Sequence, residues 1–260
     1  MSEAKSLVAN QSTQVAFRII EEMAASGEAH RVTDLAQTLA LPKARVFRYL
    51  RTLAALGYVQ QDAATERYRL TLKLFHLGQA IADSTKLLTE ARPIMLKLRD
   101  RTSLTVTLSR LEDDGMRILD IVRFASPVEI VTRPGALLDF HCSAQGKVAL
   151  AFGPERLWPM VRRRRLRSWT DKTNVDSAVL AGEIERVRKR GWAVAPEEVL
   201  AGVNALSAPV YGQAGALEAT LTIAGSVQLI APEPCQSQID AVTEAARKLS
   251  QNLGFTEVRI

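Results

Sequence analysis

The chain has 260 residues, 47% of them hydrophobic and 24% charged, a mixture typical of globular proteins that excludes wholesale disorder. Residues 1–10 are short and polar, unlike a secretory signal, and no apolar run reaches the roughly 20 residues that a bilayer crossing needs, so a cytoplasmic protein without a membrane partner is expected. The formal charge of +6 favours a polyanionic partner without requiring one, and the two cysteines, Cys142 and Cys235, are too few for a disulfide framework or a paired-cysteine zinc site.

The first helix is predicted over residues 14–25, where Val15, Ile19, Ile20 and Met23 recur near helical spacing before Ser26-Gly27 ends the run. Val32-Thr33-Asp34 opens a second helix, with Thr33 placed to cap it and Leu35 and Leu39 facing inward. Pro42 suits the first turn of a third helix, where its missing N–H has no intrahelical partner to lose. Along that helix Val46, Leu50 and Leu53 form a buried stripe, with Arg45, Arg48 and Thr52 on the opposite face. Two helices joined by a tight turn, the second amphipathic and basic outside, make a helix-turn-helix. Residues 35–61 contain no acid, yet Lys43, Arg45, Arg48 and Arg51 all lie there. Such uncompensated charge is explained by contact with phosphates, and equally by a solvated basic face. Gly57-Tyr58-Val59 and Tyr68-Arg69-Leu70, on either side of a polar tip at 62–67, read as a hairpin wing whose Arg67 and Arg69 point to DNA or to water.

Leu72, Phe75, Leu77, Ile81 and Leu87-Leu88 mark a helical connector, and a further helix is expected from Arg92-Pro93 to about Thr102. Strands follow at 105–109 and 117–122 around the Glu112-Asp113-Asp114-Gly115 turn, with another at 128–132. Helices are read at 146–152 and at 179–190, the latter ending at Gly191; strands at 206–210 and 219–224 precede a terminal helix at 235–254. Antiparallel strands interrupted by helices give an α+β second domain. The expected division is a winged helix-turn-helix at 10–71, a linker helix at 72–90 and an α+β domain at 91–260, the last being the one to which the resemblance given below assigns effector binding and oligomerisation.

The helix start at Ser143-Ala144-Gln145 offers unpaired N–H groups and a positive dipole end, which suit a carboxylate; equally, Ser143 merely caps the helix while Gly146-Lys147 packs on the sheet. His30, His76 and His141 are scattered without ligand spacing, so no metal site and no cofactor are expected. His141 and Cys142 are adjacent, and on an extended segment their side chains should diverge. Glu197-Glu198 fits loop structure or a pocket rim better than a catalytic pair. With no nucleophile–base–orienter set the chain is read as a non-enzyme. The run Arg162-Arg163-Arg164-Arg165 with Arg167 is taken as a solvated helix face or a subunit contact.

The order of these residues resembles the IclR family of transcriptional regulators. Val32-Thr33-Asp34-Leu35-Ala36, Leu41-Pro42-Lys43, Arg48, Leu50, Leu53, Gly57-Tyr58-Val59 and Tyr68-Arg69-Leu70 match its DNA-binding signature. The segment from Phe140 through Gly146-Lys147 to Ala151, then Arg190-Gly191-Trp192-Ala193, Glu197-Glu198, Gly202, Ala208-Pro209-Val210 and Leu221-Thr222-Ile223-Ala224-Gly225, match its second domain. The resemblance implies a winged helix-turn-helix joined by a helical linker to a GAF-like or profilin-like effector domain with an antiparallel sheet. It implies a homodimer or homotetramer on double-stranded operator DNA, a cytoplasmic, nucleoid-associated repressor or activator of a catabolic operon answering to a small organic acid.

DNA contact is assigned to Thr33, Lys43, Ala44, Arg45, Arg48, Tyr49 and Arg51 with Arg67 of the wing, and residue by residue the resemblance carries effector contact to Ala144, Gln145, Ala195, Ala205, Thr222 and Ala224, with Asn204 beside Ala205 as a replacement hydrogen-bonding group. Ala44-Arg45 stands where relatives carry a small polar pair, which places Arg45 to read a guanine edge or to hold a phosphate. Ala195 replaces the usual Asp, and Ala205 a Cys or small polar group, so a roomier, less polar pocket and an aromatic or larger acid are expected. Strand alternation turns Asn204 to the face opposite Ala205. The alternatives are an enzyme with an accessory winged helix and an effector-independent architectural DNA-binding protein.

Overall fold

The computed structural model describes residues 11–84, 86–125 and 133–256, in two compact units that divide after Ser84. In the first, α1 (Gln11–Ser26), α2 (Val32–Thr38) and α3 (Lys43–Ala55) bury Val15, Ile19, Met23, Leu35, Leu39, Val46, Leu50 and Leu53 in one core. Thr33 does not cap α2. The cap position falls two residues earlier, at Arg31, and the Asp34 carboxylate accepts the Arg31 backbone N–H at 3.2 Å, an interaction that holds this carboxyl below its usual range. Pro42 likewise sits just before α3, as its cap residue with extended backbone, rather than inside its first turn.

β1 (Val59–Gln61) and β2 (Tyr68–Leu70) pair antiparallel, and Tyr68 exchanges two backbone hydrogen bonds with His30, so the wing is stitched to the segment before α2. Its tip is fixed by Asp62, whose Oδ1 accepts the N–H groups of Ala64 and Thr65, both at 2.9 Å. α4 (Lys73–Ser84) follows, and its Lys73 Nζ donates to the Leu56 carbonyl at 2.7 Å, satisfying the C-terminal end of α3 while lying over the Tyr58 ring.

The second unit starts with α5 (Lys86–Thr102). The expected start at Arg92-Pro93 is corrected: Leu87, Ala91, Met95 and Leu98 form one buried stripe that runs through Pro93, and core packing on both sides outweighs the proline's lost hydrogen bond. β3 (Thr105–Leu111), β4 (Met116–Val122), β5 (Leu137–Leu138), β6 (Ala193–Val194), β7 (Val203–Tyr211) and β8 (Leu217–Ser226) form an antiparallel sheet in the order β5-β4-β3-β8-β7-β6. The two-residue strands β5 and β6 were too short to register as periodicity, and the strand expected at 128–132 lies outside the described residues.

Between the strands lie α6 (Ala144–Phe152), α7 (Leu157–Arg162) and α8 (Ser177–Arg190); α9 (Gln236–Asn252) closes the unit. Leu206, Ala208 and Val210 of β7 point into the main core with residues of α5 and α9, while alternation turns Ala205 and Ser207 to the side of α6. Only Arg162 of the arginine run is helical; Arg163, Arg164, Arg165 and Arg167 lie beyond α7, all exposed. Among the described residues no helix is long and apolar enough to cross a membrane.

Gly146 sets the approach of α6 to the turn before it. A Cβ there would fall 2.5 Å from the Phe140 carbonyl oxygen and 2.6 Å from its Cα, both backbone atoms that cannot rotate away. Gly146→Ala should therefore destabilise the second unit by about 1–3 kcal/mol, read as a lowered denaturation midpoint; an unchanged midpoint would refute this packing.

Candidate functional site

On α3, Ala44, Arg48, Arg51 and Ala55 fall at i, i+4, i+7 and i+11, opposite the stripe of Val46, Leu50 and Leu53, and all four are exposed. Lys43 is exposed at the helix start, and no side chain of Lys43, Arg45, Arg48 or Arg51 forms an ion pair among the described residues. Arg45 is half-buried on the flank of α3 beside Tyr49, rather than at the centre of the outer face where Arg48 stands. The Tyr49 hydroxyl is held below its usual range first by a hydrogen bond with Ser12 of α1, then by Arg45, which keys this flank to the preceding helix. Thr33 is exposed in the first turn of α2 and donates to Asp34 Oδ1 at 3.1 Å. Arg67 is half-buried, its Nη1 donating to the Ala29 carbonyl at 2.9 Å, while the neighbouring Arg69 is exposed. Phe47, 45% exposed on the edge of the same face, was missed because its spacing also fits a core position.

In the second unit all seven residues assigned to the effector line one cavity of about 360 Å³. Its sheet wall comes from register. Ala205 pairs with Ala224, and Thr222 with both Ser207 and Thr107, so these side chains share one face. The Thr222 hydroxyl donates to Ser207 Oγ at 2.9 Å. The helix wall is the start of α6, where Ser143 caps: its Oγ accepts the Gly146 N–H at 3.1 Å and donates to the Asp139 carbonyl at 2.6 Å. Gln145 lines the cavity with its side chain buried and makes no side-chain hydrogen bond among the described residues.

Asn204 reaches the same lining, yet its side-chain groups are spent elsewhere. Nδ2 donates to the Ile230 and Ala231 carbonyls at 3.2 and 2.9 Å, and Oδ1 accepts the Ala205 N–H at 2.8 Å. Among the described residues Arg133, an exposed side chain that nothing in the sequence singled out, is the one charged group in the lining, and it makes no side-chain hydrogen bond or ion pair with them. It sits where Ala136 and Gly135 bond to Ile118 of β4, a short tie without periodicity in the sequence.

The loop before β7 is anchored by charge. Lys147, fully buried one turn into α6, extends Nζ to Glu183 Oε1 of α8 at 2.7 Å, to Glu198 Oε1 and to the Val194 carbonyl. Burial pushes the Glu198 carboxyl up, against the opposing pull of Lys147. Glu197 pairs with Lys172 and accepts the Gly202 N–H at 3.0 Å, so both glutamates are used in loop structure. Nothing in the periodicity of α6 distinguished Lys147 from a residue packed through its methylenes.

His141 and Cys142 do not diverge. Their ligand-type atoms and one oxygen of Asp139 lie within 4.8 Å of one another, because the segment is a turn rather than extended chain. His141 Nε2 is hydrogen-bonded to the Arg167 carbonyl at 2.8 Å, and Asp139 accepts the Trp169 indole N–H at 2.7 Å. Burial pushes the Cys142 thiol up to about 12, the reverse of what a nucleophile needs.

A helix-turn-helix bearing an outward basic stripe, in one chain with a sheet-and-helix unit that encloses a small-molecule cavity, defines a ligand-binding DNA regulator. Residues 12–63 match the IclR helix-turn-helix domain, and residues 79–251 the C-terminal domain of bacterial transcriptional regulators of the IclR type. The chain belongs to the IclR family of DNA-binding transcriptional regulators. It is 32% identical over 220 residues to the HTH-type transcriptional regulator BhcR of Paracoccus denitrificans, covering 84% of this chain and 79% of that one. The crystal structure of an IclR regulator from Alicyclobacillus acidocaldarius superposes with a TM-score of 0.84 at 26% identity, covering 94% and 98% of the two chains. An IclR homologue of Microbacterium hydrocarbonoxydans, solved in complex with 4-hydroxybenzoate, shares the fold at a TM-score of 0.83 and 21% identity, covering 93% and 98%.

Two outcomes test this geometry. Lys147→Met, which leaves two carboxylates without their cation, should cost about 3–5 kcal/mol in chemical denaturation; a loss near zero would mean that the ion group is dispensable. Iodoacetamide at about pH 7.5 should label the exposed Cys235, whose thiol is held below its usual range first by the Ser237 hydroxyl, and spare Cys142 until the chain unfolds. Because folded Cys142 keeps its proton to higher pH than the unfolded thiol, raising the pH past about 9 should lower stability.

Proposed function

We propose that the protein is a ligand-responsive regulator of a catabolic operon, acting as a homodimer or homotetramer on a near-palindromic operator in the cytoplasm, associated with the nucleoid. α3 enters the major groove with Arg48 and Arg51 toward base edges, and Lys43, Arg45, Tyr49, Thr33 and Arg67 serve the sugar–phosphate backbone or hold the reading surface in place. Ala44 and Phe47 supply apolar contact of the kind that fits a thymine methyl.

The effector is a small organic acid with an aromatic or comparably broad apolar body, seated against Ala195, Ala205, Thr222 and Ala224, with its carboxylate at the α6 start beside Ala144 and Gln145. The observation that supports this reading is a mostly apolar cavity whose lining, among the described residues, holds one charged side chain, the exposed Arg133, with no ion pair among those residues. The 4-hydroxybenzoate complex of the Microbacterium homologue is in keeping with that class of ligand. Asn204 serves the cavity wall from behind rather than touching the effector. Ligand alters operator affinity by binding the two conformations of the regulator unequally.

A thermal-shift panel of aromatic and aliphatic acids, followed by operator binding with the acids that score, tests the reading. At least one acid should raise the melting temperature and change operator affinity, and Arg133→Gln should weaken it about tenfold; if no acid does either, the receptor role fails. Arg48→Ala should cost about 1–3 kcal/mol on the operator and much less on scrambled DNA, whereas Arg45→Ala should weaken both alike. The opposite pattern in fluorescence anisotropy would exchange their roles.

A further inference from the structure

A second recess, of about 420 Å³, shares no lining residue with the first. It opens at the edge of the sheet. β6 pairs only with Leu206 and Ser207, so β7 has a strand on one side alone from Ala208 onward, where Pro209 has no N–H to leave unpaired. α9 and the end of α8 form the other walls.

Its lining is cationic. Arg190 and Arg247 both line it, no acidic side chain does, and neither arginine forms an ion pair among the described residues. Arg190 is half-buried at the C-terminal end of α8, with its guanidinium carbon 3.8 Å from the centroid of the Trp192 ring. Its Nε donates to the Trp192 carbonyl at 2.7 Å, which leaves the two terminal nitrogens without a carboxylate. Burial lowers its affinity for the proton, with Glu183, itself engaged by Lys147, only partly opposing. A half-buried guanidinium without a counterion is favoured further when an anion completes it. The remaining wall is aromatic: the Tyr211 and Phe255 rings lie 5.1 Å apart at a tilt of 33°.

We infer that this recess is a second ligand site, taking a small planar aromatic anion whose carboxylate or phosphate lies between Arg190 and Arg247 and whose ring packs against Trp192, Tyr211 and Phe255. It does not depend on the first cavity being a receptor. Stacking and charge act together here, since a guanidinium already lying flat on Trp192 presents its N–H fork in the plane that a carboxylate or phosphate meets.

Calorimetric titration of the full chain with 1-naphthoate, phenyl phosphate and the neutral 1-naphthamide tests the site, using Ala205→Phe to fill the first cavity. One binding event per chain should survive in that variant for an anionic probe, and which of the two binds more tightly identifies the acid group. The amide should bind about tenfold more weakly, as should the best anion after Arg247→Gln, a change at an exposed residue. Should Ala205→Phe not fold, Arg247→Gln in the unsubstituted protein must remove one binding event per chain. The inference is overturned if neither anion binds by about 1 mM, if amide and acid bind alike, or if Arg247→Gln leaves anion binding unchanged. It is equally overturned if that substitution alters the sedimentation coefficient instead, which would make the recess a contact between copies.

Discussion

The second unit depends on a lysine that has no water. Lys147 joins α6, α8 and the loop before β7 through one ammonium group, and each partner comes from a different part of the chain. A buried cation is tolerable only when its donors are all used and its charge is answered, and here two carboxylates and a carbonyl do both. The geometry of that group sets the distance between the helix start at Ser143 and the loop carrying Ala195, Val199 and Leu200, which all line the first cavity. Packing alone would hold these parts loosely, since hydrophobic contact is non-directional, whereas three hydrogen bonds from one nitrogen allow few arrangements.

The DNA-binding unit solves a different problem. Its outer stripe carries cations that form no ion pair among the described residues, Arg48 lying only over the Tyr49 ring; the fold is held chiefly by the aliphatic stripe on the other side of α3 and by local contacts of Asp34, Asp62 and Lys73. Arg67 shows the division of labour within one residue type. Bonded to the Ala29 carbonyl it braces the base of the wing, while Arg69, one strand position away from Tyr68, is left outside. Exposed cations and the buried aliphatic stripe thus fall on separate faces of the same elements.

Most of the architecture was legible in the chain because it rests on periodicity. Val46, Leu50 and Leu53 announce α3, and alternation along β7 correctly turns Asn204 away from the face of Ala205. What escaped was set by tertiary partners. Pro93 looks like a helix start until Leu87 and Ala91 are seen in the same core as Met95 and Leu98. Thr33 looks like a cap until Asp34, three residues after Arg31, takes the N–H. Arg133 and the ion group of Lys147 could not be read, since a lone arginine in a polar stretch and a lysine in a helix are ordinary until their surroundings are known. His141 and Cys142 were expected to part, and a turn brings them together.

Asn204 has one further consequence. Its amide fastens the strand that floors the cavity to the carbonyls at 230 and 231, just ahead of α9, while its own oxygen grips the backbone of Ala205. An occupant pressing on Ala205 therefore displaces that strand only by dragging the approach to the terminal helix along or by breaking two contacts, one of them, to the Ile230 carbonyl, buried away from water. The front and the back of the sheet are in this way mechanically one piece at that point, like two leaves pinned by a single rivet.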